Sequence, residues 1–261
     1  MPPSVDPLHG LVAVITGSGR GIGRALALAM AEAGAKVVVS ARTAREIDTV
    51  VSEIVGRGGE AMAVVADATD REEAIRPVER AIEVFGRIDV LVNNVGGSPP
   101  GNHDPYTGDL DVIEATLVLN LTTAFWTTSA ALPHMRAQSY GRIISIGSGA
   151  SNRASASWAY TTAKHGIVGF TKQLAQRTGR DGITVNCLCP GWTNTSLVNF
   201  ERIATRTGST ADAAREDAEA QNAQGRILEP EELGPLAVLL ASPAGASMTG
   251  QVIGVDGGYR L

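Results

Sequence analysis

Tyr160 and Lys164 have the residue types and the spacing of a proton-transfer site. On a helix, residues at this spacing lie one turn apart on the same face, so both side chains can reach one pocket. A phenol can act as an acid or a base if its pKa is shifted toward neutrality, and a nearby ammonium favours the phenolate. The same spacing is also common on exposed helices, where lysine and tyrosine merely pack together. The pair predicts acid–base chemistry if its surroundings form a site.

A second candidate is the glycine-rich stretch TGSGRGIG, residues Thr16–Gly23. The apolar run Leu11–Ile15 precedes it and the strongly helix-forming run Arg24–Glu32 follows it, which predicts a strand, a turn and a helix. The free amides and the positive dipole end of such a helix bind phosphate. The spacing is T-G-x-x-x-G-x-G rather than G-x-G-x-x-G, and tight turns also use glycine for steric reasons alone. The stretch therefore indicates an anion site but does not identify the anion.

Composition limits the classes of function. The chain has 261 residues, of which 44% are hydrophobic and 19% charged, and this suits one large α/β domain. The net charge of -5, with no run of lysine or arginine, argues against nucleic acid or an anionic membrane as partner. We expect a small-molecule substrate instead.

The sequence also bears on location and on metals. No leader-like segment and no apolar stretch of membrane-spanning length is present, so we expect a cytoplasmic protein. Cys187 and Cys189 alternate in an apolar run, and the four histidines are scattered singly. This pattern predicts buried packing cysteines and no metal site.

The elements that position these residues follow from alternation along the chain. Short apolar runs such as Lys36–Ala41 alternate with helical segments such as Arg71–Phe85, and the runs lack a polar face. This predicts a doubly wound, Rossmann-type parallel sheet with helices on both faces, as a single domain over residues 1–261. Ligands of such folds bind beyond the carboxyl ends of the strands. The polar, alanine-rich segment 193–224 predicts a mobile excursion beside the substrate.

The ordered set of motifs resembles the classical short-chain dehydrogenase/reductase family. The matching residues are Thr16-Gly17-x-x-x-Gly21-x-Gly23, Asn93-Asn94-Val95-Gly96, Asn120, Ser148, Tyr160-x-x-x-Lys164 and Pro190-Gly191. The resemblance implies an NAD(P)-dependent oxidoreductase that transfers a hydride between a nicotinamide and a ketone or secondary alcohol, as a carbonyl or 3-oxoacyl-type reductase. The alternatives are an NAD-preferring hydroxybutyrate-type or cyclic alcohol dehydrogenase, and a nucleotide-binding sensor or scaffold without turnover.

The resemblance also assigns cofactor contacts. Five positions would hold the pyrophosphate and the adjacent ribose: Gly17, Arg20, Gly21, Ile22 and Gly23. Four positions would hold the carboxamide: Pro190, Gly191, Thr193 and Thr195. Asn94 and Gly96 would lie along the ribose and the nicotinamide. Asp67, beside Ala68, would accept a hydrogen bond from the adenine, or would instead cap the helix Arg71–Phe85.

By the same resemblance, Tyr160 would pass the proton and Lys164 would also hold the ribose hydroxyls. Ser148 would hydrogen-bond the substrate oxygen, and Asn120 would keep a water in a relay to solvent. Three further serines lie near Ser148: Ser145, Ser151 and Ser155. Asn120 could instead bend its helix through a side-chain bond to the backbone.

The second strand decides the expected cofactor. NAD-preferring domains usually carry an acid at its end, whereas the sequence here reads Ser40-Ala41-Arg42. Arg42 and Arg20 could converge on a 2′-phosphate, which favours NADP(H) and leaves NAD(H) possible. Alternatively, Arg42 is a solvated residue at the start of a helix.

Two further expectations concern substrate and assembly. Arg153 could bind a carboxylate or phosphate of the substrate, or could simply be exposed to solvent. The helical region from Leu110 to Arg136 and the helix from Ala159 to Gln176 carry apolar residues more widely than one buried face requires. They predict a homo-oligomer, which the resemblance suggests is a tetramer.

Overall fold

The computed structural model describes residues 6–154 and 157–260. Within these residues, seven strands form one parallel sheet in the order β3-β2-β1-β4-β5-β6-β7. The strands are β1 Val12–Thr16, β2 Lys36–Ala41, β3 Glu60–Val65, β4 Val90–Asn93, β5 Gly141–Ile146, β6 Ile183–Pro190 and β7 Val252–Val255. The predicted doubly wound parallel sheet is confirmed.

Helices connect successive strands. The α-helices are α1 Gly21–Glu32, α2 Ala44–Gly56, α3 Arg71–Phe85, α4 Leu110–Leu117, α5 Thr123–Gln138, α6 Trp158–Thr178, α7 Phe200–Thr207, α8 Ala211–Ala220 and α9 Gly234–Ala241. A π-helical turn, Val118–Thr122, joins α4 to α5. The long helical region predicted from about Leu110 to Arg136 is therefore present, and it changes from α-helical to π-helical geometry around Asn120.

The sheet is buried on both faces, as its apolar strands require. On one face, Ala13 and Ile15 of β1 pack with Leu26 of α1 and with residues of α2 and α9. On the other face, Val12 and Val14 of the same strand pack against residues of α3, α5 and α6. Alternate residues of one strand thus support two hydrophobic cores, and burial of this apolar surface is the main driving force for folding.

The chain changes direction between β1 and β4, which are neighbours in the sheet although they are not consecutive strands. Such a switch point opens a crevice at the carboxyl ends of the two strands, where doubly wound proteins bind ligands. The glycine-rich stretch follows β1 and the Asn93–Gly96 motif follows β4, so the topology brings the two together.

Segment 193–224 contains α7 and α8. Its predicted mobility and the single domain over residues 1–261 remain predictions. No helix in residues 6–154 and 157–260 is long and apolar enough to cross a membrane. Both cysteines are buried, as predicted.

Candidate active site

The glycine-rich turn needs glycine for two different reasons. Gly17 and Gly21 have φ of 63° and 53°, in the left-handed region that favours glycine. Gly23 has ordinary helical geometry, but a Cβ there would lie 2.4 Å from both Asn94 Nδ2 and the Gly17 carbonyl oxygen. The start of α1 therefore packs directly against the turn, and the backbone is left open for a ligand.

Asn94 holds this turn in place. Its side-chain amide donates to the carbonyl oxygens of Thr16, at 2.9 Å, and Gly17, at 3.0 Å. Its backbone amide donates to the Thr16 hydroxyl at 3.1 Å. Asn94 thus fastens the loop after β4 to the turn after β1.

The N-terminus of α1 is available to an anion. The helical hydrogen-bond ladder begins with the Arg24 amide, which donates to the Arg20 carbonyl at 3.2 Å. Within the described residues, no side-chain hydrogen bond caps this helix start. A Cβ at Gly21 would lie 3.3 Å from Thr195 Cγ2, so the loop after β6 lies beside these amides. The local chemistry and the left-handed glycines fit a dinucleotide pyrophosphate.

A cavity of about 200 Å³ adjoins this turn and contains many of the predicted cofactor residues. Its wall includes Gly17, Arg20, Arg42, Asp67, Ala68, Asn94 and Gly96. Among the described residues that form this wall, Gly21, Ile22, Gly23 and the segment from Pro190 to Thr195 are absent. Ile22 instead packs against the hydrophobic core. Only the backbone of Ile22 is therefore suited to the predicted phosphate contact.

Two ion pairs line the cavity. Arg20 Nη1 lies 3.5 Å from Glu46 Oε1, and Arg42 Nη1 lies 3.9 Å from Asp67 Oδ2. The sequence places no acid at the end of β2, but α2 brings Glu46 to the same cavity from its first turn. The two arginines therefore line one cavity, as the sequence predicts. Each of them is paired there with a carboxylate, Arg20 with Glu46 and Arg42 with Asp67, and the sequence does not predict these pairs.

Asp67 does not cap α3. That cap is Asp70, whose carboxylate accepts from the Glu73 amide at 2.9 Å. Asp67 accepts from the amide of Thr69 at 2.9 Å, and this bond, with smaller contributions from the Thr69 hydroxyl and Arg42, lowers the pKa of Asp67. Asp67 is therefore a charged acceptor in the wall of the cavity.

Tyr160 and Lys164 lie on one face of α6, as their spacing predicts. The Lys164 ammonium is 5.6 Å from the centroid of the Tyr160 ring and donates to the Ile146 carbonyl at 2.8 Å. Lys164 is only 3% exposed, and its Nζ would lie 3.2 Å from a Cβ at Gly96. This burial excludes the alternative of an exposed packing pair.

The segment after β5 distinguishes the serines. Ser145 is fully buried within β5. Ser151 is also buried, and its hydroxyl accepts from the Ser148 amide at 3.0 Å. Ser148 is half-buried at the start of this turn, and its hydroxyl accepts from the Ala150 amide at 3.1 Å. Ser155 lies outside the described residues. Ser148 therefore has the accessibility that the predicted role requires.

Asn120 lies at the centre of the π-helical turn and is buried. Its side chain exchanges two hydrogen bonds with the backbone of Gly97, at 2.9 and 2.7 Å, and donates to the Thr116 carbonyl at 2.9 Å. The expected bond to the helix backbone is therefore present, but Asn120 also fastens the helix to the loop after β4. Single π-helical turns are frequent at functional sites.

The loop after β6 is fixed by short contacts. The Thr193 hydroxyl donates to the Gly191 carbonyl at 3.1 Å, and Thr193 pairs with Leu228 in a β-bridge. A Cβ at Gly191 would lie 2.8 Å from the Asp256 carbonyl oxygen, so the chain after β7 crosses close to this loop. These contacts fix the loop whose Thr195 lies beside Gly21 at the start of α1.

Comparison with known proteins identifies the family. A family model described as short chain dehydrogenase matches residues 11–205, which is most of the chain. The chain belongs to this family, and it is an NAD(P)-dependent oxidoreductase acting on alcohol and carbonyl groups.

Relatives of known activity match almost end to end. The chain is 38% identical to a D-beta-hydroxybutyrate dehydrogenase of Cupriavidus necator, over 97% of this chain and 98% of that protein. It is also 38% identical to a 3-oxoacyl-[acyl-carrier-protein] reductase of Synechocystis, over 96% and 97% respectively. A crystal structure of an actinorhodin polyketide ketoreductase variant with NADPH superimposes with a TM-score of 0.90 at 31% identity, covering 96% of this chain and 97% of that one.

Proposed function

We propose that the protein is an NADP(H)-preferring reductase of ketones, of the 3-oxoacyl type. The observation that carries the proposal is the buried Lys164 ammonium, placed beside both the Tyr160 ring and Gly96 at the crevice between β1 and β4. This arrangement joins a proton-transfer pair to the dinucleotide cavity, as hydride transfer to a carbonyl requires.

On the cofactor side, the backbone of Gly17, Gly21 and Gly23 would hold the pyrophosphate at the N-terminus of α1. Lys164 would bind the ribose hydroxyls next to the nicotinamide, because its ammonium lies beside Gly96, which is part of the cavity wall. Thr193 and Thr195, with Pro190 and Gly191, would hold the carboxamide from the loop after β6. When bound, the nicotinamide supplies the hydride in reduction and accepts it in oxidation.

On the substrate side, Tyr160 donates the proton to the carbonyl oxygen and Ser148 donates a hydrogen bond to the same oxygen. The charge of Lys164 favours the phenolate that remains. Asn120 adjoins a small cavity of about 10 Å³, whose polar lining residues include Thr16 and Asn93. This volume is near the minimum for one water molecule and supports a role of Asn120 in a proton relay to solvent.

Two observations bear on the choice of cofactor. Arg20 and Arg42 line the same cavity and can both contact a 2′-phosphate, which supports NADP(H). Glu46 favours a second candidate, an NAD-dependent hydroxyacid dehydrogenase, because its carboxylate could accept from ribose hydroxyls. The names of the relatives include both a 3-oxoacyl reductase and a hydroxybutyrate dehydrogenase, so each candidate has precedent.

The catalytic assignment is tested by Tyr160→Phe. This change keeps the ring beside Lys164 and removes only the hydroxyl, so kcat/KM for a 3-oxoacyl thioester should fall by about 10²–10⁴-fold, the usual contribution of general acid–base catalysis. The affinity for NADPH, followed by cofactor fluorescence, should change little. Near-normal turnover in the variant contradicts the assignment. A panel of 3-oxoacyl thioesters, hydroxybutyrate and cyclic alcohols with both cofactors separates the two candidates.

We also propose a cytoplasmic homotetramer. Phe125 of α5 is half-exposed and packs edge-to-face on Phe170 of α6, with ring centroids 4.8 Å apart. The exposed Phe125 ring, which packs on the buried Phe170, supports association through this face of α5. Light scattering should give four times the monomer mass, whereas a single monomer mass at micromolar concentration rejects the proposal.

A further inference from the structure

The C-terminal residues cross the segment that carries Ser148. We call residues 256–260 the C-terminal strap. The ring of Tyr259 lies directly on Gly149, since a Cβ at Gly149 would be 2.6 Å from both Cδ1 and Cε1 of that ring. Ser148 is the preceding residue, so the strap contacts the backbone immediately next to the proposed hydrogen-bond donor.

Arg153 fastens the same segment from its other end. Its Nη1 donates to the Tyr259 carbonyl at 2.6 Å, a charge-assisted bond between residues 106 positions apart in the chain. Neither sequence-based alternative for Arg153, a substrate contact or a freely exposed side chain, describes this bond. Tyr259 therefore contacts both ends of the segment from Gly149 to Arg153, with its ring at Gly149 and its carbonyl oxygen at Arg153.

The C-terminal strap also forms hydrogen bonds with the end of segment 193–224. Asn222 and Tyr259 form an antiparallel bridge, and the amides of Ala223 and Gln224 donate to the carbonyls of Gly258 and Gly257, both at 3.1 Å. The Arg260 amide donates to the Gln221 carbonyl at 2.8 Å. The Gln221 side chain accepts from Trp192 Nε1 at 3.1 Å. One strap therefore links the segment after β5, the loop after β6 and the chain that follows α8.

We propose that Tyr259 is a positioning residue that fixes Ser148 for the reaction, an inference that rests on the proposed function. Ser148 is half-buried, and its amide and hydroxyl bond within its own turn to Ser151 and Ala150. The buried Cys189 of β6 also packs against this turn, since a Cβ at Gly147 would lie 2.7 Å from Cys189 Sγ. The ring of Tyr259 supplies packing from a distant part of the chain, and this packing limits the movement of the turn. The strap residue that meets the loop after β6 is Asp256, at Gly191, whereas the Tyr259 ring meets Gly149 beside Ser148. Loss of the Tyr259 ring alone should therefore affect the ketone step and leave the binding of the cofactor nearly unchanged.

The test compares Tyr259→Ala, which removes the ring, with Tyr259→Phe, which keeps it. Hydrogen–deuterium exchange should speed up in Tyr259→Ala for peptides covering 148–154 and 221–226, whereas peptides of the glycine-rich turn should be unchanged. With a ketone and NADPH, kcat/KM should fall about ten- to hundredfold, the scale of a small misplacement of a reacting group, while the Kd of NADPH stays within about twofold. Tyr259→Phe should match the wild type in every measurement. Tyr106→Ala, which removes a tyrosine ring that is 94% exposed, controls the exchange experiment.

The inference is overturned by unchanged exchange over 148–154 in Tyr259→Ala, by exchange that rises equally throughout the protein, or by a Tyr259→Phe variant as impaired as Tyr259→Ala. Exchange needs no substrate, so it decides whether Tyr259 holds the segment even if the wild type reduces no ketone. Failure of the proposed function would appear as absent turnover in the wild type. Failure of the inference would appear as unchanged kcat/KM in Tyr259→Ala beside an active wild type.

Discussion

Replacing Glu46 by glutamine should shift the cofactor preference toward NADPH, and replacing Arg42 by aspartate should shift it toward NADH. Both residues line the dinucleotide cavity, where Glu46 faces Arg20 and Arg42 faces Asp67. A 2′-phosphate that contacts the two arginines must compete with these two carboxylates. Glu46→Gln removes one competing charge, whereas Arg42→Asp removes a cation and adds an anion.

The exposure of the two pairs sets the magnitudes. The side chains of Arg20 and Glu46 are 67% and 34% exposed, and those of Arg42 and Asp67 are 71% and 40% exposed. Ion pairs with this access to water contribute about 0.2–1 kcal/mol. Glu46→Gln should thus improve kcat/KM for NADPH by no more than about fivefold, because about 1.4 kcal/mol corresponds to tenfold. A charge-assisted contact to phosphate is worth about 1.5–3 kcal/mol, so Arg42→Asp should weaken NADPH by about ten- to a hundredfold.

The assay is steady-state kinetics with both cofactors for the wild type and the two variants. Asp48→Asn is the matched control, since it makes the same change of charge at an exposed site on α2 outside the described wall of the cavity. It should leave the NADPH/NADH ratio of kcat/KM within about twofold, because an exposed charge that does not line the cavity interacts with the phosphate only weakly through water. A wild type that prefers NADH, or two variants that move the ratio in the same direction, would refute the reasoning.

Three other predictions concern packing, thiols and pH. Gly23→Ala should weaken cofactor binding and lower the Tm, because the new Cβ would clash with Asn94 Nδ2. The control is Gly56→Ala, whose Cβ would have no atom within 4 Å and which should stabilise α2 by up to about 1 kcal/mol. A Gly23→Ala protein that binds the cofactor normally contradicts the steric argument. The Cys187 and Cys189 thiols are buried and 3.7 Å apart, so a thiol reagent should reach either of them only when the protein unfolds. The contact with Cys189, together with burial, also raises the pKa of Cys187. Rapid labelling of the native protein would count against this. Arg226 lowers the pKa of Glu232 from 4.5 to about 2. The wild type should therefore be more stable than Glu232→Gln above pH 4.5, and this difference in the free energy of unfolding should disappear as the pH falls toward 2. Denaturant unfolding at several pH values checks this, and a difference that does not depend on pH argues against it.

The sequence predicts the sheet well because its strands are buried on both faces. Runs such as Lys36–Ala41 have no polar alternation, and β2 and α3 have the predicted bounds. Tyr160 and Lys164 were also predictable, because their proximity is a property of one helix. The sequence left two roles open for Asp67, an adenine contact and a helix cap. The structure excludes the cap, because Asp70 caps α3 instead.

Other features depend on contacts that no local pattern encodes. The π-helical turn at Asn120 lies within a region whose composition indicates one continuous helix. Asn94 belongs to a recognised motif, but its hydrogen bonds to the turn after β1 join residues almost 80 positions apart. Glu46 reaches the cavity only because α2 starts close to Gly19, and Tyr259 contacts Gly149 although the two residues are more than 100 positions apart in the sequence. The fold places these side chains, so their roles follow only from the fold.

The fastening of the glycine-rich turn by Asn94 has a consequence for the kinetics of cofactor capture. Asn94 binds two carbonyls of the turn, and the Ser18 hydroxyl, which donates to Ile15 and accepts from the Ser40 amide, braces it from the other side. The turn is therefore already shaped before a dinucleotide arrives, and little conformational entropy is lost there on association. A preformed site of this kind makes the rate of capture depend on diffusion and charge steering, so differences in affinity between dinucleotides should arise chiefly from how fast each one leaves.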